Sequence, residues 1–131
     1  MITVCKQFEF AYAHCLPNHE GLCKRLHGHS GSLEVEITDT PEFRRNYPEN
    51  ESNEGMIIDY SDLKRIVNEN VISVLDHSYL NDIFPLDMRP TSENIVKWIV
   101  SRLTLIFGPS LVRIRIYESP SSWAEWKNDH V

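Results

Sequence analysis

The sequence predicts an α+β domain, a four-stranded antiparallel sheet covered on one face by two helices in the order β-β-α-α-β-β. Three observations carry this reading. Segments near both ends of the chain alternate apolar and polar residues with period two. Two segments between them repeat apolar residues at three-to-four spacing. No internal repeat or linker divides the 131 residues, so the expectation is one domain over 1–131, large enough to bury a core without disulfides.

The first strand runs from Ile2 to His14, with Ile2, Val4, Lys6, Phe8, Phe10, Tyr12 and His14 on one face and Cys5, Gln7, Glu9, Ala11 and Ala13 on the other. Cys15 to Leu26 has no period and contains Pro17, Asn18 and Gly21, which reads as a loop. Alternation resumes at His27, where His27, His29, Gly31, Leu33, Val35 and Ile37 share a face; the two strands are expected to pair antiparallel. Thr40 to Gly55 is polar, carries Pro41 and Pro48, and reads as an irregular excursion.

A helix begins near Asp59 or Ser61 and presents Leu63, Ile66, Val67, Val71, Val74 and Leu75, ending around Asp76-His77. The second helix starts after Thr91 or Ser92 and stops at Gly108-Pro109. A third strand follows from Leu111 to Glu118, with Val112, Ile114, Ile116 and Glu118 on one face and Leu111, Arg113, Arg115 and Tyr117 on the other. A fourth is expected within Ser122 to Lys127.

Composition excludes some functions. A net charge of -6 argues against nucleic acid, which needs a basic footprint. There is no 18-residue apolar run to span a membrane. The first residues lack the basic-then-apolar pattern of a signal peptide. Three cysteines cannot all pair within one chain, and free thiols suit the cytoplasm.

The strongest chemical signal is His27-Gly28-His29 together with His14. Residues two apart on a strand face the same way, so His27 and His29 project together, and the hairpin returns them to His14. Three neutral imidazoles at the lip of an apolar face suit a metal with one position open. Unrelated histidines are the competing reading, about as frequent for this pattern.

Cys23 lies in the loop that delivers these residues, and Lys24 and Arg25 beside it favour a thiolate. A small apolar filler is the commoner fate of such a cysteine. In Asp76-His77 a carboxylate can fix an imidazole tautomer, although a helix C-terminus also favours a cationic histidine for structural reasons. Glu118 ends an apolar row, where it either recognises an amidine-like edge by two parallel hydrogen bonds or stands at the waterline. Thr91 and Ser92 add short polar groups and free N–H donors at a helix start.

Taken together, these residues resemble the 6-pyruvoyl-tetrahydropterin synthase and 6-carboxytetrahydropterin synthase family. The matching motifs are His14, Cys23-Lys24-Arg25-Leu26-His27-Gly28-His29, Leu75-Asp76-His77 with Leu80-Asn81, Pro90-Thr91-Ser92-Glu93-Asn94, Glu118-Ser119-Pro120 and Ser122-Trp123-Ala124-Glu125. The resemblance covers nearly the whole chain and implies the tunnelling fold (T-fold), in which subunit sheets join into a barrel. It implies Zn2+ on His14, His27 and His29, proton transfer by Cys23, Asp76 and His77, and pterin binding by Glu118 with Thr91 and Ser92. Ser92 stands where threonine is frequent. Active sites would lie at the interfaces of a homo-oligomer, a trimer or a homohexamer built as a dimer of trimers, with Asp76 and His77 reaching across the boundary.

The implied substrate is 7,8-dihydroneopterin triphosphate. In the carboxy branch the products are 6-carboxy-5,6,7,8-tetrahydropterin, acetaldehyde and triphosphate, on the route to queuosine. In the pyruvoyl branch triphosphate leaves without side-chain cleavage. The closing Ser-Trp-Ala-Glu looks like the bacterial carboxy enzymes and favours that branch. A non-catalytic pterin-binding protein of the same fold is the alternative from another class.

Overall fold

A computed structural model of the protein describes residues 1–130. β1 (Thr3–His14) and β2 (His27–Thr38) pair antiparallel along their full length, from Thr3 opposite Thr38 to His14 opposite His27. β4 (Leu111–Ser119) pairs with β2, and β5 (Ser122–Lys127) with β4. The sheet order is β3-β1-β2-β4-β5. Its fifth member, β3 (Ser78–Tyr79), runs parallel to β1. The sequence reading of four antiparallel strands is therefore corrected to five in a mixed sheet, because two residues are too few to show alternation.

Two helical segments cover one face. α2 (Tyr60–Val67) is capped by Asp59, whose carboxylate accepts from the Ser61 N–H at 2.8 Å. It continues through a wide π turn (Asn68–Ile72) into α3 (Ser73–Leu75). Leu63, Val67, Val71 and Leu75, four residues apart, have no exposed surface. α4 (Ser92–Phe107) is capped by Thr91, which accepts from the Asn94 N–H, and it buries Ile95, Ile99, Leu103 and Phe107 against the sheet. It ends at Gly108, whose φ of 53° lies in the region glycine tolerates best. From the sheet side Phe8, Phe10, Leu33, Val35, Ile37, Ile114 and Ile116 complete the core.

Two further expectations change. The 40–55 connection contains α1 (Pro41–Asn46), with Thr40 as its cap, Pro41 opening the first turn and Phe43 buried. Its start signals were in the sequence, but six residues are too short for a period to show. In β4, a register shift at Glu36 and Ile37 places Leu111 opposite Ile37. Leu111 is therefore fully buried while Val112 is half-buried, the reverse of strict alternation.

The uncovered face of β2, β4 and β5 carries a ladder of charges. Arg113 reaches Glu34 at 2.9 Å and Glu36 at 3.2 Å, while Arg115 reaches Glu125 at 2.7 Å and the Tyr117 hydroxyl at 2.9 Å. Among the described residues, no helix is long and apolar enough to cross a membrane.

Candidate metal centre

The hairpin brings His14 and His27 to facing positions, with His29 opposite Tyr12 two pairs further in. All three imidazoles point to the helix-covered side, as the period-two pattern requires. Two of the rings are set by backbone. Nδ1 of His14 donates to the Pro90 carbonyl at 2.8 Å, and Nδ1 of His27 donates to the Arg25 carbonyl at 2.7 Å. A carbonyl only accepts, so each neutral ring carries its proton on Nδ1 and presents Nε2 as a lone pair. Burial lowers the pKa of His14 and of His29, which keeps both rings neutral near pH 7. Nε2 of His27 is buried and has no hydrogen-bond partner among the described residues.

Glu118, at the end of the apolar row of β4, joins them. Its Oε1 lies 3.1 Å from Nε2 of His29 and 3.4 Å from Nε2 of His14, and the two imidazole nitrogens are 3.1 Å apart. One ligand atom from each of His14, His27, His29 and Glu118 falls within 4.8 Å of the others. Atoms bound 2.0–2.1 Å from one tetrahedral ion are about 3.3 Å apart, close to the three separations observed. The donor chemistry agrees. A lone pair on His14 faces a carboxylate oxygen, and the single proton available on Nε2 of His29 cannot serve both neighbours. A cation at the centre would satisfy every one of these acceptors. The protein therefore carries a three-histidine, one-glutamate cluster able to coordinate a metal ion.

The remaining site candidates separate into two groups. Ser92, at the start of α4, donates a long hydrogen bond of 3.5 Å to Oε2 of Glu118 and so stands at the cluster. Thr91 is occupied as the helix cap, and Cys23 lies on the turn Leu22–Lys24, a half-buried free thiol outside the four-residue cluster. The Cys23 carbonyl accepts from the Leu16 N–H at 2.7 Å, tying together the loop that connects His14 to His27.

Asp76 and His77 lie at the edge of β1. The chain leaves the helix there, Asp76 extended and His77 at a φ of 57°, and this departure lets neighbouring side chains meet: Nδ1 of His77 is 2.9 Å from Asp76 Oδ2. Asp76 Oδ1 also accepts from the Ala11 N–H at 2.9 Å, and the His77 N–H donates to the Ala11 carbonyl. The Ala11 and His77 hydrogen bonds hold the Asp76 carboxyl below its ordinary pKa. The His77 ring is largely exposed, and both residues line a cavity of about 650 Å³ on the uncovered face with Glu9, Ser30 and Tyr117. Glu118 and Cys23 do not line it.

Sequence reasoning missed three contributors. The Pro90 and Arg25 carbonyls orient the imidazoles through backbone atoms, which carry no residue signature. Tyr12 lies on the same face as His14, with ring centroids 5.3 Å apart, and its buried hydroxyl has no partner among the described residues. Its position on that face was readable, but a tyrosine there reads as core.

The chain is similar to known proteins over nearly its full length. The sequence model described as 6-pyruvoyl tetrahydropterin synthase matches residues 3–129. The 6-carboxy-5,6,7,8-tetrahydropterin synthase of Haemophilus influenzae is 31% identical, over 97% of this chain and 99% of its own. The protein of that name from Synechocystis is 38% identical, over 96% of this chain and 93% of its own. Among solved structures, Caenorhabditis elegans 6-pyruvoyl tetrahydropterin synthase superposes with a TM-score of 0.76 at 21% identity, covering 98% of this chain and 96% of its own.

Proposed function

The chain belongs to the 6-pyruvoyl tetrahydropterin synthase family, and on that premise we propose that it is a zinc-dependent pterin synthase acting on 7,8-dihydroneopterin triphosphate. The observation that carries this reading is the convergence of His14, His27, His29 and Glu118 at the rim of an apolar core. His14, His27 and His29 would hold the zinc, through lone pairs that Pro90 and Arg25 already orient. When bound, the ion supplies Lewis-acid polarisation of a substrate hydroxyl and makes the adjoining carbon-bound hydrogens more acidic.

The chain supplies the rest. Cys23 removes a side-chain proton as its thiolate, and triphosphate leaves by elimination. Asp76 orients His77, and the pair returns protons to the ring. The pair faces a cavity on the open side of the sheet, an arrangement that suits donation to a neighbouring subunit's substrate in a trimer or a dimer of trimers. Glu118 pairs with the amidine edge of the pterin, with Ser92 and the start of α4 beside it and Thr91 holding that helix start in place. The free cysteines fit a cytoplasmic setting.

For the product we favour the carboxy branch, giving 6-carboxy-5,6,7,8-tetrahydropterin with acetaldehyde and triphosphate for 7-deazaguanine and queuosine synthesis. Its support is the name shared by the Haemophilus and Synechocystis relatives. A second reading, release of 6-pyruvoyl-tetrahydropterin without side-chain cleavage, is favoured by the description of the matching family. Both branches use the same residues.

Incubating the zinc-loaded protein with the substrate, separating the pterins and trapping any aldehyde tests this. Acetaldehyde in step with the carboxy product is expected, and Cys23→Ala should abolish turnover while zinc and pterin stay bound. A pyruvoyl product without acetaldehyde would establish the second reading. No reaction despite bound zinc and an assembled oligomer would leave a pterin-binding protein.

A further inference from the structure

Tyr12 brings to the covered face a buried polar group that the proposed chemistry leaves unused. It is 4% exposed, and its hydroxyl is buried with no hydrogen-bond partner among the described residues. A buried hydroxyl left unpaired is destabilising, and a phenylalanine would fill the same space without that cost.

The ring's placement gives the hydroxyl a direction. It stacks on Phe10 with centroids 5.3 Å apart, and lies 5.3 Å from the His14 ring and 5.5 Å from the His29 ring. It passes over Gly31 so closely that a Cβ there would sit 3.0 Å from Tyr12 Cε1 and 3.2 Å from the Tyr117 carbonyl oxygen. The gap left by the missing side chain therefore admits the ring between β1 and β4. Gly31 immediately precedes Ser32 on β2, and Ser32 pairs with Tyr117, so a ring packed over Gly31 lies at the end of β4 that carries Glu118. Being phenolic, the Tyr12 hydroxyl can donate a hydrogen bond.

Glu118 meanwhile faces the metal-binding imidazoles through Oε1 and Ser92 through Oε2. If Glu118 binds the pterin, as proposed above, its carboxylate must turn away from those nitrogens. We propose that Tyr12 is a positioning residue for Glu118: its hydroxyl donates to the carboxylate in the turned, pterin-binding setting and holds it there. The inference rests on the pterin-binding reading of Glu118. It explains an unpaired hydroxyl in the resting geometry, since the acceptor is engaged elsewhere until ligand arrives. Closing of a hydrogen bond to a charged acceptor only in the bound state strengthens binding without a ligand contact of its own.

The test is a double-mutant cycle on the zinc-loaded full chain, titrated with unsubstituted pterin. Tyr12→Phe should weaken pterin binding roughly tenfold, with zinc content unchanged and the thermal midpoint of the pterin-free protein not lowered. In a Glu118→Gln background, the same change should alter affinity less than about twofold. Three results would overturn the inference: wild-type affinity in Tyr12→Phe, an equal loss in both backgrounds, or a loss accompanied by lower zinc content or stability. Failure of the zinc-loaded wild type to bind pterin would be distinct, because it removes the pterin reading itself and this inference with it.

Discussion

The two faces of the sheet carry titratable clusters on the same strands, and they differ in how far their partners are satisfied. On the open face, Arg113 and Arg115 each meet carboxylates within 3.2 Å, and Glu34, Glu36 and Glu125 each have a cation. That ladder is closed: charge is matched by charge, and no ligand is needed. On the covered face, His27 Nε2 has no partner among the described residues, His14 turns a lone pair toward the Glu118 carboxylate, and both His14 and His29 are held neutral by burial. Charged residues alone therefore do not mark a site. The mark is a set of acceptors that converge and cannot satisfy one another.

The largest break in this comparison should come from His27→Ala. Zinc retention and turnover should both be lost, measured by metal analysis and product formation, while far-ultraviolet circular dichroism stays native, because His27 lies at the rim and not in the core. Unchanged metal content and turnover would return the three histidines to coincidence.

Glu118→Gln keeps shape but removes charge-assisted pairing. Pterin affinity should fall on the order of 10–100-fold in a binding titration, the range set by a hydrogen bond to a charged group. Affinity equal to wild type would make Glu118 a waterline residue.

A third substitution addresses the closed ladder. Arg113→Met strips Glu34, Glu36 and Glu125 of a shared, mostly covered partner and should cost about 1–3 kcal/mol of stability in denaturant titration. Zinc content should not change. A loss of metal here would show that the two faces are coupled.

Acidification gives the smallest effect and sharpens the contrast. Unfolded, His14 and His29 bind protons near their ordinary pKa of 6.5, whereas folded they do so only at lower pH. Between those values the unfolded chain holds more protons, so the stability of metal-free protein rises with pH and falls as pH drops below 6.5. Thermal midpoints of metal-free wild type and of a His14→Gln, His29→Gln double variant should diverge across that window; parallel pH profiles would sink the assignment to these imidazoles.

Period-two alternation placed Phe8, Phe10, Tyr12 and His14 on one face of β1 and His27 and His29 on the matching face of β2, and both strands hold in the structure. The helix boundaries were legible at Asp59, Thr91 and Gly108 because capping depends on adjacent residues. β3, α1 and the bulge in β4 were not. The first two are shorter than the windows from which a period is read, and the bulge is a relation between two strands and not a property of either.

For the site, sequence determined which side chains could reach the covered rim, since strand geometry alone decides the face. Tertiary structure decided what they do there. Pro90 is 76 residues from His14 in the chain, yet its carbonyl fixes the tautomer of that ring. Glu118 became a neighbour of His14 and His29 only because β4 docks beside β2 in one register. Asp76 and His77 came to face the open side because the chain leaves its helix to bridge to Ala11. Local sequence sets direction through short-range sterics, whereas hydrogen-bond partners, burial and the crossing of strands depend on segments that only folding brings together.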